Sequence, residues 1–205
     1  MPAYRSADEA EIRDEVVKHL RELIPGCRII HEVNASSFGN RIDVLAVGRV
    51  DMAAVEIKSK KDKLDRLPDQ IKAMRRVSNR VYVALHEKFL TELRGEFYPP
   101  TEADGATVWV YPKAERKGHV DCRAQWRPWY CWGHKRACLP HYALGMLWRD
   151  ELQAICAGLG MTGTKRMNMD EAADHIQWRM TGEQITRAIC DTLRARKCVE
   201  ADPEI

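Results

Sequence analysis

No apolar run in this sequence approaches the roughly 20 residues needed to cross a bilayer, so a membrane span is not expected. The opening stretch, MPAYRSADEAEIRDE, is polar and acidic and lacks the apolar segment of an export signal, which argues against secretion. There is no internal repeat, which excludes solenoids and arrays, and no low-complexity tract. The seven cysteines (Cys27, Cys122, Cys131, Cys138, Cys156, Cys190, Cys198) are odd in number and widely spread. Without an export signal they read as reduced thiols in a cytoplasm rather than a disulfide framework.

What is present is a 205-residue chain with 45% hydrophobic and 31% charged residues. That composition belongs to a folded globular protein, and the length holds one compact domain with an appendage or two small domains. The net charge of +3 hides a strong segregation. Residues 57–80 hold nine Lys/Arg against three Asp/Glu, a local +6, and residues 111–150 hold eight against three, a local +5. The segments 1–56, 81–110 and 151–205 are each mildly acidic. Two basic blocks on a weakly charged body point to a polyanion partner, or else to solvated faces.

Hydrophobic spacing supplies the organisation. Ile12, Val16, Leu20 and Leu23 recur at helical intervals until Pro25-Gly26, which ends the helix. Arg28–Val33 reads as a strand, and Ile42–Val47 and Met52–Ile57 as a hairpin around Gly48-Arg49-Val50-Asp51. A helix follows with Pro68 in its first turn, where a missing N–H costs little, carrying Ile71, Met74 and Val77. Val81–Leu85 and Thr107–Tyr111 are further strands. The order α-β-β-β-α-β predicts an α/β protein with a mixed sheet flanked by helices. Between about 95 and 142, prolines and the crowded Trp126, Trp129 and Trp132 suggest a basic aromatic loop region. Beyond it, Leu144, Leu147, Trp148, Leu152 and Ile155 form one helical stripe ended by Gly158 and Gly160, and Met169–Met180 and Thr181–Arg196 are two more helices, with Thr181 as N-cap.

The residues that carry chemistry sit in the hairpin. Glu56 and Lys58, two apart on one strand, project from the same face, and Asp43 lies near the start of the neighbouring strand. Charges inside runs such as IDVLAV and MAAVEIKS are costly to bury without compensation. A divalent cation between Asp43 and Glu56 would compensate the two carboxylates, and hard cations such as Mg²⁺ prefer oxygen ligands. The bland reading of the triple is a structural ion pair between Glu56 and Lys58.

The stretch GNRIDVLAV, a turn, then MAAVEIKSKKDKLDRLPDQIKAM resembles the PD-(D/E)XK nuclease superfamily. Within it, EIKSKKDKLDRLPDQ looks most like small bacterial and phage-borne proteins, including the MmcB-like DNA-repair family. The resemblance is good over about residues 8–90, although Ile42 precedes the acidic residue where the superfamily's name has proline. It implies a restriction-endonuclease-like core (αβββαβ) with a small C-terminal helical extension. It also implies a Mg²⁺-dependent deoxyribonuclease, Mn²⁺ substituting, with endonuclease action favoured and a place in DNA repair or phage and mobile-element biology. On this basis Asp43 and Glu56 hold metal, and Lys58 assists the attacking water. Gln70 positions Lys58 or the phosphate, and Glu11 (or Glu15) adds a first-helix carboxylate. Lys60, Lys61, Lys63 and Arg66 are expected along the DNA path. A non-catalytic DNA-binding protein on the same fold, and a nuclease acting on RNA, stay open, as does the oligomeric state, a homodimer included.

The expected organisation is a nuclease core over 1–112, a basic Trp/Cys-rich loop region over 113–142, and a helical extension over 143–205 whose removal spares the metal site. The extension reads as a brace or as a helix-loop-helix DNA-binding addition. Cys131-x2-His134-x3-Cys138-x2-His141 has zinc-ligand residue types, but three residues between the pairs are too few for a usual knuckle, so structural zinc is not expected. Trp126, Trp129 and Trp132 amid Arg123, Arg127, Lys135 and Arg136 could stack on unpaired bases or pack on the core. His19 and His31 read as hydrogen-bonded core histidines sooner than as cleft residues.

Overall fold

Ser6 opens the first helix by accepting a hydrogen bond from the Glu9 amide at 3.2 Å, the usual N-cap arrangement. A computed structural model describes residues 6–35, 40–111 and 138–205. In it α1 spans Ala7–Leu23. Three strands follow, β1 (Arg28–Asn34), β2 (Arg41–Val47) and β3 (Met52–Lys58), then α2 (Leu67–Val77) and β4 (Arg80–His86). The α-β-β-β-α-β order read from the sequence is therefore the order of the fold. A short hairpin, β5 (Thr91–Leu93) and β6 (Glu96–Tyr98), precedes β7 (Thr107–Tyr111).

The main sheet has the order β1-β2-β3-β4-β7. β1 and β2, and β2 and β3, pair antiparallel, whereas β3–β4 and β4–β7 are parallel. The change of direction comes at α2, the crossover that a parallel pair needs. Gly48 closes the β2–β3 turn, donating to the Asp51 carbonyl at 2.8 Å; a Cβ there would stand 2.5 Å from the Asp51 carboxylate. Every residue of β3 is buried, as befits a central strand covered on both faces.

One face packs on α1, where Ile12, Val16 and Leu20 meet Val44, Ala46, Ala53, Val55 and Ile57. The other face, with Leu45, Val47, Met52 and Ala54, packs on Leu67, Ile71, Met74 and Val77 of α2. The C-terminal helices α3 (Arg149–Gly158), α4 (Met169–Arg179) and α5 (Gly182–Ala195) belong to this second layer. Their Leu152, Ile176, Ile189 and Leu193 share one apolar cluster with the sheet and α2.

Arg28 in β1, fully buried, fastens α5. Its guanidinium donates to the carbonyls of Leu193 (2.8 Å), Arg194 (2.9 Å) and Arg196 (2.6 Å), satisfying carbonyls that a helix end leaves without partners. The chain then runs back along the edge of β1, with His31 donating to Glu200 at 2.8 Å and Asp202 to Ile29 at 2.9 Å. Residues 143–205 are thus built into the core, and the expectation that the metal site outlasts their removal does not fit this packing.

Two local expectations are corrected. The stripe from Leu144 to Ile155 is two elements: a 3-10 helix over His141–Met146, then α3 starting after Trp148. Glu151 causes the restart by accepting from the Trp148 amide at 2.7 Å. Helical spacing survives because the 3-10 turn still buries Leu144 and Leu147. The β5–β6 hairpin was not expected; its two-residue turn is Arg94-Gly95, both at positive φ (54° and 80°), the geometry of a tight primed turn without the usual Asn-Gly sequence.

Candidate active site

The β2–β3 ladder ends at the pair Val44–Val55, and the next step sets Asp43 opposite Glu56. There the Asp43 carboxylate replaces the ladder partner, its Oδ2 accepting from the Ile57 amide at 2.8 Å. Glu56 and Lys58 continue the face of Met52 and Ala54, the α2 side of the sheet, which is how Gln70 of α2 reaches them. Lys58 Nζ donates to Glu56 Oε1 at 2.7 Å and to Gln70 Oε1 at 2.9 Å. Gln70 Nε2 closes the triangle with Glu56 Oε1 at 2.5 Å. Asp43, Glu56, Lys58 and Gln70 are thereby brought together as the sequence anticipates.

All three charged members are buried, with Glu56 only 2% exposed. Burial, and then the neighbouring Asp43 charge, push the Glu56 carboxyl up to about 8. Burial also raises Asp43, against the pull of the Ile57 amide and Arg13. Glu56 Oε2 is buried with no hydrogen-bond partner, an expensive condition for a carboxylate.

The carboxylate that the first helix brings to the cleft is Glu9, not Glu11 or Glu15. Glu9 lines the same cleft as Asp43 and Glu56. Glu11 is exposed and instead accepts from the Tyr111 hydroxyl at 3.4 Å; the charges of both Glu11 and Glu15 act on Tyr111. The reason is rotational: two residues along a helix is about 200° around it, so Glu9 and Arg13 share the buried face that Glu11 avoids.

Arg13 and Glu32 escaped the sequence reading. Arg13, 1% exposed, donates to the Asp43 backbone carbonyl at 2.7 Å, to Glu9 Oε1 at 2.6 Å and to Glu32 Oε1 at 3.0 Å. Glu32 falls opposite Asp43 at the one gap in the β1–β2 register, with φ 57°. A non-glycine residue at positive φ inside a strand is strained, and such strain concentrates at functional sites. Arg41 also pairs with Glu32, at 2.6 Å. The signal for Arg13 was a charge on the Ile12/Val16/Leu20 stripe; nothing in the sequence marks the backbone of Glu32.

The cleft over this group is about 690 Å³ and also takes in Lys61, Lys63 and Arg66, a size typical of ligand sites. Lys60 and Lys61 both bridge to Asp8 at 3.1 Å, and Lys60 is not among the lining residues. Asp62 holds the turn that presents them, accepting from the Ser59 amide at 2.8 Å and hydroxyl at 2.7 Å. His31 meets Arg13 Nη1 at 3.2 Å, and His19 packs edge-on against Trp109; neither lines the cleft.

Among the described residues no group of three or more His, Cys, Asp or Glu gathers as a metal cage. Asp43 and Glu56 are two carboxylates whose pKa burial raises, and one oxygen of Glu56 has no hydrogen-bond partner. Two oxygen donors of this kind fit a hard cation that completes its sphere with water. Cys131, His134, Trp126, Trp129, Trp132, Arg123, Arg127, Lys135 and Arg136 lie outside the described residues. Of the zinc-type set, Cys138 packs on Gly182 and the His141 ring stacks on Tyr142. The described cysteines are free thiols, and none of the described helices is long and apolar enough to cross a membrane.

An α/β protein with a five-stranded mixed sheet and a buried acid–acid–lysine cluster is the class that fold and site define. The chain belongs to the family described as bacteriophage P4 protein cII, whose model matches residues 3–198. The phage connection anticipated from the sequence is met at the level of that family. No curated protein and no solved structure matches the chain.

Proposed function

We propose that this protein is a Mg²⁺-dependent deoxyribonuclease with a restriction-endonuclease-like core of the PD-(D/E)XK type, acting on DNA in the cytoplasm in phage or repair biology. The observation that carries the reading is the buried Asp43–Glu56–Lys58 cluster with an unpartnered Glu56 oxygen, opening on a cleft with Lys61, Lys63 and Arg66. Bound Mg²⁺ supplies charge neutralisation at the phosphodiester and a more acidic water. Asp43 and Glu56 hold the cation. Lys58, tethered by Glu56 and Gln70, presents its ammonium to the scissile phosphate and the attacking water. Gln70 fixes the direction of both Glu56 and Lys58, and Arg13 fixes the backbone of Asp43.

The closed Lys58–Glu56–Gln70 triangle also suits a DNA-binding protein in which these charges only brace the hairpin. Incubation with linear, nicked, flapped and single-stranded DNA, and with RNA, in Mg²⁺, Mn²⁺ or EDTA separates the two. Metal-dependent cleavage of DNA supports the nuclease; binding without cleavage in either metal supports the binder.

A further inference from the structure

The carboxylates Glu9, Glu32, Asp43 and Glu56 fall into two pairs according to what already holds them. Glu9 and Glu32 belong to Arg13, whose Nη2 donates to Glu9 Oε1 at 2.6 Å and to Glu32 Oε1 at 3.0 Å. Arg41 takes the other Glu32 oxygen at 2.6 Å. In the second pair, Asp43 commits Oδ2 to the Ile57 amide. Glu56 commits Oε1 to Lys58 and Gln70, while its buried Oε2 has no partner. That leaves Asp43 Oδ1 and Glu56 Oε2 as the oxygens for a cation.

A second divalent ion at this site would draw on the remaining hard oxygens, those of Glu9, Glu32 and the Asp43 backbone carbonyl. The Arg13 guanidinium already donates to all three, reaching the carbonyl at 2.7 Å, and its Nη1 also meets His31 at 3.2 Å. Arg13 is 1% exposed, and a guanidinium does not give up its proton in a protein. A divalent ion brought to the same oxygens would therefore meet a fixed like charge in a buried place. The balance of charge agrees. When ionised, the four carboxylates face three cations, Arg13, Arg41 and Lys58, an excess of one negative charge. One divalent ion turns that excess into a single positive charge, the match for one phosphodiester. Two ions would leave three uncompensated positive charges in a largely buried cluster, which is costly.

We propose that Arg13 is a built-in cation in the place of a second metal, so that Asp43 and Glu56 hold a single divalent ion and Glu9 serves the arginine. The inference rests on the nuclease reading for the identity of the site and deepens it by fixing its metal count.

Mn²⁺ binding to the full chain, read from the electron paramagnetic resonance of the free ion, counts the sites, with DNA cleavage assays alongside. The wild type and Arg13→Lys should each saturate at one Mn²⁺ per chain. Arg13→Ala, with a thermal melt to show that it folds, should take up two; if it does not fold, Arg13→Lys and Glu9→Gln decide. Glu9→Gln should keep the one site with affinity lowered less than about tenfold, the effect of a charge removed at a distance, whereas Asp43→Asn should bind none. Two Mn²⁺ in the wild type or Arg13→Lys would overturn the inference, as would a Glu9→Gln site lost as completely as that of Asp43→Asn. A folded Arg13→Ala that still takes one ion would also overturn it. In each of these cases, DNA cleavage by the wild type would leave the nuclease reading in place. A wild type that binds one Mn²⁺ and cuts no DNA would support the single site and remove the nuclease reading. No bound Mn²⁺ overturns the inference outright.

Discussion

Arg13 of α1 donates to the backbone carbonyl of Asp43 at 2.7 Å, so the first helix sets the position of a carboxylate 30 residues further along the chain. The same guanidinium neutralises Glu9 and Glu32, and Glu32 keeps its positive φ directly across the sheet from Asp43. Arg13→Met leaves buried Glu9 without the guanidinium that pairs with it and takes one of the two arginines from Glu32, which keeps Arg41; it should cost about 3–5 kcal/mol, the usual consequence of breaking a buried pair from one side. Urea midpoints measure it. A loss below about 1 kcal/mol, within the range of a surface pair, would show that the network holds nothing in place.

Stability without metal should depend on pH through Glu56. Its carboxyl is raised from 4.5 to about 8, so between those values the folded state holds a proton that the unfolded chain has released. Stability is then greatest below about 4.5 and falls as pH rises through about 8, by up to about 1.4 kcal/mol per pH unit for one proton. Glu56→Gln should flatten that slope in EDTA melts. Mg²⁺ must displace the proton, so its stabilising effect should grow with pH over the same window. An equal slope in wild type and Glu56→Gln would remove Glu56 as the titrating group.

Lys61 and Lys63 line the active-site cleft. Replacing both with alanine should lower the log–log salt slope of duplex DNA binding by about two units, at about 0.9 for each phosphate neutralised. An unchanged slope would mark this face as merely solvated. Lys60, which does not line the cleft, should matter less than either.

Deleting residues 143–205 should abolish cooperative melting, because it uncovers the apolar sheet face shared with Leu152, Ile176 and Ile189 and leaves buried Arg28 without the α5 carbonyls. A truncated chain with a sharp thermal transition would contradict the single-core arrangement.

Strands and helices were legible wherever one periodicity dominated. Within Ile42–Val47 and Met52–Lys58 the charged residues are Asp43, Glu56 and Lys58, so those charges stood out against their strands, and Gln70 fell one helix later. Glu11 was misplaced because the resemblance supplies a carboxylate on the first helix without its rotation, and the buried stripe of Ile12, Val16 and Leu20 carries Glu9 and Arg13 with it. Glu32 was invisible, since a backbone dihedral set by tertiary pairing leaves no mark on residue type. The C-terminal helices were seen individually, but their merger with the sheet depends on Arg28, whose long-range carbonyl partners no local pattern encodes.

Mg²⁺-dependent DNA cleavage by wild type and Asp43→Ala, measured side by side with DNA affinity, tests the central claim. When no cation is bound, the Asp43 carboxylate beside Glu56 disfavours a phosphate in the cleft, because like charges there repel. The substitution should therefore abolish cleavage while leaving affinity equal or slightly tighter, and Lys58→Ala should abolish cleavage with modestly weaker binding. Cleavage that continues unchanged in Asp43→Ala would contradict the assignment of this cluster as the active site.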